Sequence, residues 1–138
     1  FPECKALIMT AAVGDFSPES YEENKIKKNL NEGNVLKLKR NPDILGEIAT
    51  QKNGQIIVGF AAESENVFEN ALEKLQKKSM DLIVANNIVK PGIGFGSDYN
   101  EATFIRKDRQ IQHLGRMPKT ELANLLLDEI AELISEKC

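Results

Sequence analysis

Three short apolar runs constrain this chain more than any other feature. They are "KALIMTAAV" (Lys5 to Val13), "QIIVGF" (Gln55 to Phe60) and "DLIVAN" (Asp81 to Asn86). None shows the polar alternation of a half-solvated strand. A short strand without alternation suits a parallel sheet covered on both faces. Helix signals lie between the runs. Asn41-Pro42-Asp43 places an amide at an N-cap, proline at the first helical position and an acid in the first turn, so a helix is expected to about Gln51. A second is expected from Ser64, with Val67, Ala71, Leu72 and Leu75 on its apolar face. A third is expected from Thr120, with Leu122, Leu126, Ile130 and Leu133 at helical spacing.

"NVLKLK" alternates and suits a more exposed strand, and "ATFIR" with "IQHL" reads as a late hairpin. The expected fold is α/β: a Rossmann-like open, mostly parallel sheet with helices on both faces, plus the hairpin. No linker, repeat or low-complexity stretch interrupts the chain, so residues 1–138 are expected to form a single domain or a large part of one.

Composition narrows the partners. A net charge of −3 and a pI near 5.3 argue against general nucleic-acid binding. No apolar run approaches the roughly 20 residues that span a bilayer, and the amino end shows no secretory leader pattern. Cys4 and Cys138 lack CxxC spacing, and one histidine cannot complete a zinc site with them. They are expected to be free thiols of a cytoplasmic protein. Because Phe1 is followed almost at once by a buried-looking strand, further residues are expected to precede it in the natural chain.

In open parallel sheets, ligands bind beyond the carboxyl ends of strands. Here those ends read "TAAVGDF", "VGFAAES" and "VANNI". Ala11, Ala12, Gly14, Gly59, Ala61 and Ala62 line them, and small side chains either let a ligand approach the backbone or pack beneath helices. Asp15 could bind a metal ion or ribose hydroxyls, or be a turn residue or helix cap. "PGIGFGSDYN" lacks the GK[ST] ending of a phosphate loop and reads as a turn-rich loop. Lone His113 has no partner motif. Two lysine groups stand out in an acidic chain: Lys25, Lys27 and Lys28 in "SYEENKIKK", and Lys74 with Lys78, four apart on a helix. Either they are solvated, or a polyanion such as a nucleoside triphosphate meets them.

"AAVGDF", "KIKK", "NPDIL", "VGFAAES", "DLIVANN" and "GFGSDYNEATFI", in that order over nearly the whole chain, resemble phosphopantothenoylcysteine synthetase. This is the ligase half of the bacterial coenzyme A flavoprotein, and it also occurs as a stand-alone enzyme. The resemblance implies a ligase that joins 4′-phosphopantothenate to cysteine. CTP activates the substrate carboxylate as an acyl-cytidylate, and Mg2+ accompanies the nucleotide; ATP replaces CTP in eukaryotes. FMN is implied only if a decarboxylase domain precedes this chain. Family members act as homodimers, with no nucleic-acid or membrane partner implied.

By motif, Lys25 matches the essential lysine of KxKK, which stabilises phosphate charge. The resemblance assigns Met9, Thr10, Ala11, Asp15, Pro42, Asp43, Ile44, Leu45, Phe60, Lys74 and Lys78 to nucleotide binding, with Phe60 as a wall for the base. The metal ligands stay unknown. The family's upstream portion, with an "SNHSSG"-like segment, is not in this sequence. A binding and dimerising fragment, inert without that portion, is therefore the alternative to an active ligase. An oxidoreductase is disfavoured because no GxGxxG opens a helix. Val35, Leu36 and Leu38 are expected at a subunit contact, and "ENKIKK" is expected to be a flap that triphosphate orders.

Overall fold

The computed structural model describes residues 1–11, 13–25, 35–63, 67–87 and 96–137. Along them run β1 (Ala6–Met9), β2 (Phe16–Pro18), β3 (Leu38–Arg40), α1 (Ile44–Thr50), β4 (Ile56–Glu63), α2 (Val67–Lys77), β5 (Leu82–Asn87), β6 (Tyr99–Arg106), β7 (Ile111–Pro118) and α3 (Lys119–Glu136). Backbone contacts divide the chain into two units: Phe1–Thr10 with Leu45–Cys138, and Ala11–Ile44.

The larger unit is built on a five-stranded sheet of order β1-β4-β5-β6-β7. β1 and β5 flank β4 in parallel, whereas β6 pairs antiparallel with both β5 and β7. The sheet is therefore mixed rather than mostly parallel. A parallel neighbour needs a crossover the length of a strand, while an antiparallel return needs only a turn. The β6–β7 hairpin provides that turn through Lys107–Gln110, where Arg109 takes a left-handed φ of 70°.

The continuously apolar runs are explained by two cores. Ile56, Val58, Leu82, Val84 and Phe104 face α3, meeting Leu122, Leu126, Ile130 and Leu133. Ile57, Ile83 and Ile105 face the other way, meeting Leu45 of α1 and Ala71 and Leu75 of α2. Successive strand residues thus bury on opposite faces. Helices cover both faces, as expected. Gly59 belongs to this packing: a Cβ there would overlap Met80 Sδ. At Gly59 and at buried Ala61, small size serves the α2 face rather than ligand approach.

Buried charges close the amino edge of the sheet. Asp81 accepts hydrogen bonds from Lys52 Nζ at 2.6 Å, Lys137 Nζ at 2.9 Å and the Ile57 N–H at 2.8 Å. Arg106, buried under α3, pairs with Glu129 and Glu136 at 3.0 Å each and with Glu132 at 3.7 Å.

Element boundaries differ from expectation. β1 stops at Met9 rather than Val13, and a further strand, β2, follows it. "NVLKLK" contributes only β3. α1 begins at Ile44, two residues beyond the proline, and α3 begins at Lys119. The smaller unit pairs β2 with β3 antiparallel, Phe16 opposite Arg40 and Pro18 opposite Leu38.

Candidate functional site

The carboxyl ends of β1 and β4 lie level, because Met9 registers with Gly59. Alternation then separates the expected residues by face. Ile8, Thr10 and Phe60 lie on the α3 side, where they line a groove of about 570 Å³ with Asn100, Lys119 and Leu126. Met9 packs on the opposite side, with Leu45 and the α2 residue Leu72. Thr10 and Phe60 therefore line one groove, while Met9 and Leu45 belong to the other core. Lys119 starts α3 beside the carboxyl rim, since Pro118 pairs with Tyr99 at the start of β6. The polar groups gather at this rim, and the groove becomes apolar down α3.

Lys74 and Lys78 occur near the carboxyl end of α2, on the Met9 side of the sheet. The backbone N–H of Lys78 donates to the Lys74 carbonyl at 3.0 Å. Basic side chains there also complement the negative end of the helix dipole. The fold does not bring them to the Thr10–Phe60 face.

In the smaller unit, Asn41 organises the expected residues. Its backbone N–H donates to the Asp15 carbonyl at 2.8 Å, and its side-chain amide donates to the Gly14 carbonyl at 2.8 Å. Its side-chain oxygen accepts from Ser17 Oγ at 2.7 Å. The amide read as a helix cap is thus committed to the "VGDF" turn. Asp43, not Asn41, immediately precedes the first helical residue. Asp15 is held by its backbone and its carboxylate stays exposed, as are Ala11, Lys25, Pro42, Asp43 and Ile44. Lys27, Lys28 and most of the expected flap lie outside the described residues, as do Ala12 and the side chain of Ala62.

Two residues were missed in the sequence. Asn41 reads in the sequence as a local helix cap, whereas its partners Gly14, Asp15 and Ser17 lie far back in the chain. Asn100 is buried, donates to Asn86 Oδ1 at 3.1 Å and lines the groove. The signal was available: "VANN" ends one strand, and "YNEATF" opens its neighbour with another asparagine. His113 Nδ1 lies 3.0 Å from Thr103 Oγ1 in the exposed hairpin.

Among the described residues no three His, Cys, Asp or Glu side chains gather as a metal site. No helix among them is long and apolar enough to cross a membrane. Cys4 is a free thiol donating to the Phe1 carbonyl, while Cys138 lies outside the described residues.

The family model of the DNA/pantothenate metabolism flavoprotein C-terminal domain matches residues 1–134. The coenzyme A biosynthesis bifunctional protein CoaBC of Bacillus subtilis is 44% identical over 127 residues, which cover 92% of this chain and 31% of that protein. CoaBC of Escherichia coli is 40% identical over 135 residues, covering 95% of this chain and 33% of its own length. The chain thus spans about a third of the length of these curated relatives. The crystal structure of the C-terminal domain of a CoaBC protein superposes with a TM-score of 0.77 at 32% identity, over 98% of this chain and 59% of that one. The motifs, the fold and these matches agree: the chain belongs to the DNA/pantothenate metabolism flavoprotein C-terminal domain family, the part of CoaBC that its sequence resembled as phosphopantothenoylcysteine synthetase.

Proposed function

We propose that this chain is the nucleotide-handling portion of a ligase that joins 4′-phosphopantothenate to cysteine, using CTP. The observation that carries the reading is the match over residues 1–134 with the family's strand-end motifs in order. The grouping of Thr10, Phe60 and Asn100 at one strand-end groove adds to it.

In this reaction the 4′-phosphopantothenate carboxylate attacks the α-phosphorus of CTP. A carboxyl O–P bond forms, the bond to the bridging oxygen breaks, and pyrophosphate leaves. The cysteine amine then attacks the acyl carbon, loses a proton and expels CMP. Negative charge grows on phosphate oxygens in the first step, so a positioned cation lowers the barrier. Lys25 is assigned that role, and its exposed side chain is free of burial cost. Phe60 offers an apolar wall to the base, and the Thr10 hydroxyl and Asn100 amide offer hydrogen bonds at the same rim.

Magnesium bound by triphosphate oxygens needs few protein ligands. Such an ion would be held by the nucleotide's phosphate oxygens and would supply positive charge there. Flavin takes no part in either step.

A homodimer belongs to the same reading. Val35, Leu36 and Leu38 are 87%, 69% and 53% exposed, an apolar stretch that a subunit contact would cover. The second reading, a nucleotide-binding and dimerising fragment inert alone, is favoured by the coverage of only 59% of the solved domain. Pyrophosphate release separates the two. Release that requires both CTP and 4′-phosphopantothenate supports the ligase. CTP binding without release, until the rest of such a domain is added, supports the fragment. Failure to bind CTP under either condition overturns both.

A further inference from the structure

The side chains of Asn86 and Asn100 meet at the carboxyl rim of the sheet, on the α3 face. Val84 and Ala102 belong to the α3 core, and each asparagine lies two residues from one of them, so both amides share that face. Asn100 is buried and Asn86 half-buried. Asn86 registers with Ala102, and the β6–β7 pairing shifts its register between Asn100 and Ala102. Irregularities of this kind re-aim a side chain. A buried amide also needs partners, whereas an apolar side chain would join two strand ends at lower cost.

The hydrogen bonds fix which way each amide faces. The Glu101 N–H donates to Asn100 Oδ1 at 2.9 Å, and only the oxygen of an amide accepts. Asn100 Nδ2 is therefore on the other side, where it donates to Asn86 Oδ1 at 3.1 Å. One backbone N–H thus sets the orientation of two side chains in turn. The Asn86 oxygen faces Asn100, so what Asn86 turns outward is a pair of N–H donors. Asn86 registers with Ala62, two residues beyond Phe60 on the same face of the sheet.

We propose that Asn100 is a positioning residue that makes Asn86 a donor-only contact for the nucleotide base and so selects cytosine. The inference rests on the CTP-dependent ligase reading and refines it, giving Asn100 a role exerted through Asn86. A base lying on Phe60 brings its polar edge to the strand ends beyond Phe60, where Asn86 stands. Cytosine carries two adjacent acceptors, O2 and N3, which suit N–H donors. Uracil has a donor at N3, and adenine carries an amine beside N1, so each sets a donor against the Asn86 donors. An unlocked amide would turn and offer its oxygen to those groups, and the Asn100 bond prevents the turn. Discrimination then comes from donors left unpaired in the wrong complex.

The test is titration calorimetry of CTP, UTP and ATP, each with magnesium, on the parent chain and two variants, alone and mixed with the part of the crystallised CoaBC domain that the chain does not match. Circular dichroism checks that each variant is folded, and either variant alone decides the outcome. Asn100→Asp replaces the donor with a second acceptor, ionised at a pH of about 8. The Asn86 amide should then turn its nitrogen inward and its oxygen outward. The preference for CTP over UTP should fall about tenfold or more, with UTP binding held or improved. Asn100→Leu leaves Asn86 free to turn, so it should weaken CTP about tenfold and change UTP little. A purely structural role would instead weaken all three nucleotides by one factor. Such an equal loss, or an unchanged ratio of CTP to UTP affinity, overturns the proposal and leaves the ligase reading intact. A parent chain that binds no CTP under either condition overturns both.

Discussion

Asn41 holds Asp15 in place: its backbone N–H donates to the Asp15 carbonyl at 2.8 Å, while its side-chain amide takes the preceding Gly14 carbonyl at 2.8 Å. Two consecutive carbonyls are thereby fixed by one residue from the far end of the unit. Asp15 itself stays exposed.

Asn41→Ala keeps the backbone bond but removes both side-chain bonds. It should loosen the "VGDF" turn by about 1–2 kcal/mol, the net worth of two exposed or half-buried hydrogen bonds. Amide exchange at Phe16 and Arg40 should quicken, with the larger unit unchanged. CTP affinity should fall in parallel. Unaltered exchange would mean that the β2–β3 pairing does not depend on Asn41.

Nucleotide choice is the next expectation. CTP should bind better than ATP, because the sequence resembles the bacterial branch of the family. Titration calorimetry with both nucleotides and magnesium checks this. Equal or tighter binding of ATP removes the CTP assignment while leaving the ligase reading intact.

Association should follow from the exposed apolar stretch. The chain is expected to sediment as a dimer, and Leu36→Asp or Leu38→Asp should weaken it by about tenfold, or about 1.4 kcal/mol. A monomer at high micromolar concentration contradicts the assignment of this contact.

Stability should depend on pH through Asp81. Burial alone would raise its pKa, but hydrogen bonds from Lys52, the Ile57 N–H and Lys137 prevail, and the carboxyl is held below its ordinary value. A depressed folded pKa means that the stabilisation is full above the unfolded value near 4. It is lost as pH falls through the lower folded value. Asp81→Asn should cost about 1.5–3 kcal/mol at neutral pH and flatten the acid limb of the stability curve. Denaturant titrations from neutral to acidic pH measure both effects. A parallel shift of the curve, without flattening, would show that Asp81 does not titrate with folding.

Much of this architecture was legible in the sequence, for a physical reason. Strands buried on both faces cannot alternate, so "QIIVGF" and "DLIVAN" announced the parallel centre of the sheet. Leu122, Leu126, Ile130 and Leu133 announced α3 in the same way, all buried at helical spacing. The mixed character of the sheet was harder, because periodicity does not encode strand direction. Asn41 shows a second limit. Its composition and neighbours suit a helix cap, yet its partners are Gly14, Asp15 and Ser17, which only the folded chain brings near. The face of the sheet to which Met9 and Thr10 each turn was likewise hidden. Adjacent strand residues point apart, so a strand-end motif spans two surfaces.

The central claim is that this chain activates a carboxylate on CTP with Lys25 as the phosphate cation. A single-turnover experiment tests it most directly, with α-phosphate-labelled CTP, 4′-phosphopantothenate and the chain joined to the part of the crystallised CoaBC domain that it does not match. Acyl-cytidylate should form before cysteine is added and discharge to CMP afterwards. Lys25→Gln should slow turnover by about 10²–10³, with CTP binding weakened far less. An absence of labelled acyl-cytidylate in the parent protein, or parental turnover by Lys25→Gln, would contradict the account.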